Sequence, residues 1–204
     1  MVGITGGIGS GKSLICKIFA VLCAPVYEAD ARAKWLMDNN AEVKAAIEAL
    51  FGVAAYDSDK LNRQYLADHV FHDKTKLEQL NGIVHPAVHK DFNQWCGQHK
   101  YPFVIKEAAL LVETGSYQSL DALIVVTAPE ELRIKRVLQR DPQRSEKEIR
   151  GIMDKQLPPE ETTSHADFII SNDEQQLITP QVIQLHEAFM HKKRAMPNGN
   201  ALEG

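Results

Sequence analysis

Eight residues near the start of the chain, Gly6 to Ser13, read GGIGSGKS. This is the spacing G-x-x-x-x-G-K-[ST], which builds a cradle for a polyphosphate. The glycines let backbone N–H groups turn inward around the phosphates without Cβ clashes. Lys12 brings a point charge to the β- and γ-phosphates, and the Ser13 hydroxyl is the expected Mg2+ ligand. Gly7, Ile8, Gly9, Ser10, Gly11, Lys12, Ser13 and Leu14 are thus the candidate nucleotide contacts. A helix beginning at this point would aim the positive end of its dipole at the anion. The sequence contains no N-K-x-D, the signature of guanine readers. The chemistry indicated is therefore ATP- and Mg2+-dependent phosphoryl transfer to a small molecule.

Such transfer leaves a protein little covalent work: it must place an acceptor in line and help remove its proton. Carboxylates at the ends of strands beside the loop are the groups to look for. Glu28 and Asp30 close the segment APVYEAD and would share a face if that strand persists; a solvated turn acid is the plainer reading of either. Glu107, after FVIK, an apolar run that Lys106 interrupts, has the form of a magnesium-water ligand. Glu113 closes ALLVE, and is equally well a substrate contact or an ordinary helix acid.

The elements that must position these groups alternate between short apolar strands and helical periodicity, the pattern of an α/β fold with a parallel sheet. Strands are expected at Met1 to Thr5, Ala24 to Asp30, Phe103 to about Lys106, Asp121 to Pro129 and within DFIISN. Helices are expected from Ser13 to about Leu22, over AEVKAAIEALFG, over LNRQYLADHVF, over KTKLEQLNGIVHPAVHKDFNQWC with a break near Pro86, over EELRIKRVLQR, and from Gln175 to about Lys193. Residues 31–99 show helices and no convincing strand. That is too much for a plain crossover, and reads as a helical insertion into a five-stranded core.

The 204 residues carry 23 Lys plus Arg against 27 Asp plus Glu, a formal net charge of −4 that argues against non-specific nucleic-acid binding. Three cysteines, at 16, 23 and 96, match no disulfide framework and suggest a reducing compartment. With no leader peptide pattern and no apolar run long enough to span a bilayer, the expectation is a soluble cytoplasmic protein without membrane or nucleic-acid partners. The terminal ALEG is set aside as a tail. His85 and His89, four apart with Cys96 nearby, do not complete a zinc ligand set. The basic HKKR at 191–194 reads as favourable charge at a helix end, and Trp35 and Trp95 as packing.

Read together and in order, VGITGGIGSGKS, EAD, LNGIVHP, EAALLVE, QRD and ADFIISN closely resemble the dephospho-CoA kinases, over Gly3 to about Leu185. The resemblance implies a P-loop three-layer α/β/α fold with a five-stranded parallel sheet, a helical CoA-binding insertion (31–99) and a lid (141–165). The nucleotide-binding core would be 1–30, 100–140 and 166–195. It implies ATP-dependent phosphorylation of the 3′-hydroxyl of dephospho-CoA, with another P-loop nucleoside or nucleotide kinase as the alternative. Asp30 matches the family's catalytic acid. Glu28 stands where the family usually has Asp; so does Glu107, and Ala109 replaces a Pro. Ser13 and Glu107 would meet Mg2+, directly or through water. His85, with Pro86, and Glu113 fall in the acceptor region. Arg140 falls where the lid begins and would contact ATP phosphates; Gln156 matches a lid glutamine, and Asn172 the turn near the adenine. Oligomeric state is left open.

Overall fold

The computed structural model describes residues 1–71 and 73–191. The chain runs β1 (Val2–Thr5), α1 (Lys12–Val21), β2 (Val26–Glu28), α2 (Ala29–Asn39), α3 (Ala41–Phe51), β3 (Tyr56–Asp57), β4 (Lys60–Leu61), α4 (Arg63–Phe71), α5 (Lys74–Cys96) and β5 (Ile105–Glu107). It continues through β6 (Ala122–Thr127), α6 (Glu130–Arg140), α7 (Glu146–Met153), α8 (Pro159–Ser164), β7 (Phe168–Ser171) and α9 (Ile178–His191). Five strands form one parallel sheet in the order β2-β5-β1-β6-β7.

Period-two alternation sends each strand's side chains to two buried faces. Val2, Ile4, Ile105, Ile124, Val126 and Ile170 meet Ile15 and Phe19 of α1 and Val182, Leu185 and Phe189 of α9. Tyr27 and Val104, on the opposite face, meet Leu36 of α2 and Val84, Val88 and Phe92 of α5. Leu123 and Val125 on that face pack with Leu111 and Val112. The result is the three-layer α/β/α architecture. Because β1 is flanked by β5 on one side and β6 on the other, the loop that follows it opens at the carboxyl ends of the strands, where α/β sheets bind ligands.

Three sequence expectations are corrected. Residues 31–99 do contain strand: β3 and β4 pair antiparallel, Tyr56 with Leu61 and Asp57 with Lys60. Ser58 and Asp59 turn the chain at φ 47 and 74, the left-handed pair that a tight hairpin requires, and strands of two residues carry no alternation to read. The helix through Pro86 does not break; α5 is continuous from Lys74 to Cys96. The buried stripe Val84, Val88 and Phe92 holds the helix through that point. The closing helix begins at Ile178 rather than Gln175, because the Asp173 carboxylate accepts from the N–H groups of Gln175 and Gln176 and makes a turn of them. Residues 192–193 of that expected helix, most of HKKR and the ALEG tail lie outside the described residues. No helix among the described residues is long and apolar enough to cross a membrane.

Lys106 is an anomaly in this core. It is 6% exposed on the middle of β5, with its Nζ 5.0 Å from the centre of the Phe92 ring and no hydrogen bond or ion pair among the described residues. Burial pushes its amine below the ordinary lysine value. A lowered lysine pKa means that the folded state disfavours the charged form. The cost is therefore fully present below the folded pKa and vanishes as pH rises to the unfolded value. Lys106→Met should stabilise the protein at pH 7 by about 1 kcal/mol, the desolvation of a partly buried, unpaired amine less its cation–π contact. In urea unfolding the gain should shrink as pH approaches the unfolded value near 10.5.

Candidate active site

Gly11 ends the P-loop at φ 101, a left-handed conformation, and leads into α1 as its N-cap. Lys12 and Ser13 are therefore the first two residues of the helix, at the positive end of its dipole. The Lys12 Nζ folds back on the loop, donating to the carbonyl of Gly6 at 2.8 Å and reaching that of Gly7 at 3.5 Å. Burial lowers its pKa, while the charges of Glu107 and Asp30 pull the other way.

Sheet register assembles the acids. Glu28 pairs in register with Glu107, and Glu107 with Ile4, so two carboxylates stand side by side at the ends of β2 and β5, next to the strand that feeds the loop. They share the α1 face of the sheet, as Val26 and Ile105 do. Burial raises the Glu107 carboxyl, with Asp30 and Glu28 adding to the rise and Lys12 opposing it. Burial, and after it the charges of Glu107 and Glu28, push the Cys16 thiol up to about 12. Asp30 does not lie on an extended strand with Glu28. The strand stops at Glu28, which is the N-cap of α2, and Asp30 occupies the first turn of that helix, exposed, where negative charge suits the dipole.

No group of three or more His, Cys, Asp or Glu able to hold a metal by itself occurs among the described residues. The donors present suit Mg2+ nonetheless. That ion keeps most of its waters and binds through one or two carboxylates plus substrate phosphates. Here Glu107, desolvated among like charges, and the exposed Ser13 hydroxyl flank the loop lysine.

The loop is gripped from outside. Asn172, 4% exposed after β7, donates from Nδ2 to the Ser10 carbonyl at 2.7 Å, while its own amide oxygen accepts from Arg136 at 3.1 Å. Its side chain thus buttresses the loop rather than pointing free into a nucleotide site. Ile8 donates its N–H to Gln156 Oε1 at 2.9 Å, and its carbonyl accepts from Arg133 Nε at 2.9 Å. Glu113 Oε1 accepts from the Leu157 N–H at 3.4 Å, so the stretch between α7 and α8 is tied both to the loop and to the segment after β5. A cavity of about 420 Å³ lies between the loop and the α7–α8 stretch, bordered by Gly6, Gly7, Arg133, Arg150, Gln156 and Thr162. Arg140 does not border it. At the last turn of α6, Arg140 is paired with Asp141 at 2.8 Å, with its side chain 61% exposed. Arg150 joins α7 to α6 through Glu130 and Glu131. His85 is exposed on α5. Arg133 was not singled out by sequence. It shares an i, i+3, i+7 face with Arg136 and Arg140, and only burial distinguishes it.

A family model described as dephospho-CoA kinase matches residues 1–177. The chain belongs to the dephospho-CoA kinase family. A dephospho-CoA kinase of Porphyromonas gingivalis is 36% identical over 197 residues, 97% of this chain and 98% of that protein. One from Salinibacter ruber is 43% identical over 176 residues, 84% and 88% of the two chains. The solved dephospho-CoA kinase of Campylobacter jejuni superimposes with a TM-score of 0.68 at 28% identity, covering 93% of this chain and 96% of that one. A solved Thermus thermophilus protein does so at 0.84 and 30%, covering 94% and 97%. These likenesses make the protein a kinase of coenzyme A biosynthesis that transfers phosphate to an alcohol group.

A side chain at Gly11 would overlap the Asn172 amide and would have to adopt φ 101. Gly11→Ala is expected to weaken ATP binding by ~10-fold or more, as strain of this kind costs about 1–3 kcal/mol. Calorimetric titration checks this, with circular dichroism confirming the fold.

Proposed function

We propose that the protein transfers the γ-phosphoryl group of ATP to the 3′-hydroxyl of the ribose of dephospho-CoA, giving coenzyme A and ADP. The observation that carries this reading is the meeting of Lys12 with Asp30, Glu28 and Glu107 at the ends of β1, β2 and β5, within a chain of this family. The loop residues Gly7 to Leu14 hold the triphosphate, and Lys12 exchanges the Gly6 carbonyl for phosphate oxygens. Asp30 accepts a hydrogen bond from the 3′-hydroxyl, aims the oxygen at the γ-phosphorus and takes its proton as the new P–O bond forms. Ser13 and Glu107 hold Mg2+, which when bound neutralises charge on the phosphates.

The α2–α5 segment, with residues 31–99, serves as the acceptor domain, with His85 and Glu113 as substrate contacts. Residues 141–165 serve as the lid, which excludes water when it closes. Arg140 reaches the phosphates by leaving Asp141 on that closure. Asn172 contributes to the nucleotide site by holding the Ser10 carbonyl from behind.

An acceptor panel in a coupled ADP-release assay tests the substrate. Turnover with dephospho-CoA and none with nucleoside monophosphates is expected; the reverse result would replace this reading by that of another nucleotide kinase. Asp30→Asn should lower kcat by roughly 100-fold or more, the scale of lost general-base help, with ATP affinity within about twofold of the parent. Undiminished transfer would remove Asp30 from the role.

A further inference from the structure

Arg133 is 9% exposed, yet no carboxylate among the described residues forms an ion pair with it. Glu130, the acid that acts on its charge, is engaged by Arg150. Burial pushes the guanidinium below its ordinary value. A buried cation without a counter-charge is costly, so its retention here asks for a reason.

Its surroundings supply one. Three consecutive P-loop residues are fitted around it. A Cβ on Gly7 would overlap the guanidinium, and a Cβ on Gly9 would overlap the backbone of Arg133 itself. Between them, the Ile8 carbonyl accepts from Arg133 Nε at 2.9 Å, and the Ile8 side chain packs against the cluster of Ile134, Val137 and Ile149 that joins α6 to α7. A loop whose amides must converge inward turns some carbonyls outward, and a part-buried outward carbonyl such as that of Ile8 is best met by a donor.

We propose that Arg133 is a positioning residue for the donor nucleotide. Through its Nε–H bond to the Ile8 carbonyl, it holds the Gly7–Gly9 arch in the curvature that lets the loop amides meet the phosphates. The inference rests on the reading that this loop holds ATP. It goes beyond that reading by assigning the work to one hydrogen bond from α6, outside the cradle.

The geometry allows a sharp test. The Nε2 of glutamine falls where the Nε of arginine lies, so Arg133→Gln keeps the donor and discards the charge. Arg133→Met places a methyl group there and discards both. ATP affinity is measured calorimetrically without acceptor, KM for each substrate at steady state, and thermal midpoints for all three proteins. Arg133→Met should bind ATP about 10-fold more weakly, as expected for one lost hydrogen bond to a charged group, with KM for dephospho-CoA within about twofold. Arg133→Gln should stay within about threefold of the parent for ATP. Equal losses in both variants would overturn the proposal, since charge and not the bond would then matter. Parental ATP affinity in a folded Arg133→Met would also overturn it. Should Arg133→Met not fold, Arg133→Gln decides alone: retained affinity supports the proposal and a 10-fold loss overturns it. A parent protein that binds no ATP would instead sink the reading of the loop, whatever the variants do.

Discussion

A backbone cradle for phosphate has a cost on its outer side. When successive N–H groups of GGIGSGKS turn towards one point, the carbonyls between them turn away, and each of these needs a partner. Much of this protein's architecture around the loop answers that need. Lys12 serves the Gly6 carbonyl, Arg133 the Ile8 carbonyl and Asn172 the Ser10 carbonyl, from α1, α6 and the turn after β7 respectively. Gln156 adds an acceptor for the Ile8 N–H. The loop is thus a junction at which the core and the α7–α8 segment meet, and close packing there explains why glycine occupies the positions where Arg133 and Asn172 press in.

The acids on the other side of Lys12 follow a different logic. Parallel register brings Glu28 and Glu107 abreast, and the switch from strand to helix at Glu28 lifts Asp30 onto the first turn of α2. Burial first, and then the like charges of Asp30 and Glu28, raise the Glu107 carboxyl against the pull of Lys12. Asp30 itself stays exposed on that turn. The helix α2 that carries it is pinned to α5 by Arg32, whose guanidinium grips Asp91 at 2.7 and 2.8 Å, and the Tyr27 hydroxyl, from β2, donates to the same carboxylate at 2.6 Å. Removing Asp91 would therefore loosen the acid through its helix rather than through direct contact.

Several of these features were legible without coordinates because they depend on local order. The phosphate loop is contiguous, its glycines declare their own backbone requirement, and continuous apolar runs declare buried strands. Others depended on short-range geometry too fine for periodicity. The two-residue strands β3 and β4 carry no alternation, and Asp173 converts the expected start of the last helix into a turn. Pro86 misled for the opposite reason: its local rule is sound, but the buried stripe of α5 holds the helix through it.

By itself, then, the sequence determined the loop and its lysine, which are contiguous, and the class of fold and the family, which are written in the order of short local motifs along the chain. Only the tertiary structure decided which of three arginines on one helix face is buried. Arg133 meets the Ile8 carbonyl, Arg136 braces Asn172, and Arg140 remains with Asp141 at the helix end. Spacing along a helix places side chains on a face but not against a partner. The partner here lies 125 residues away in the chain, and only folding brings its outward carbonyl within reach of one guanidinium.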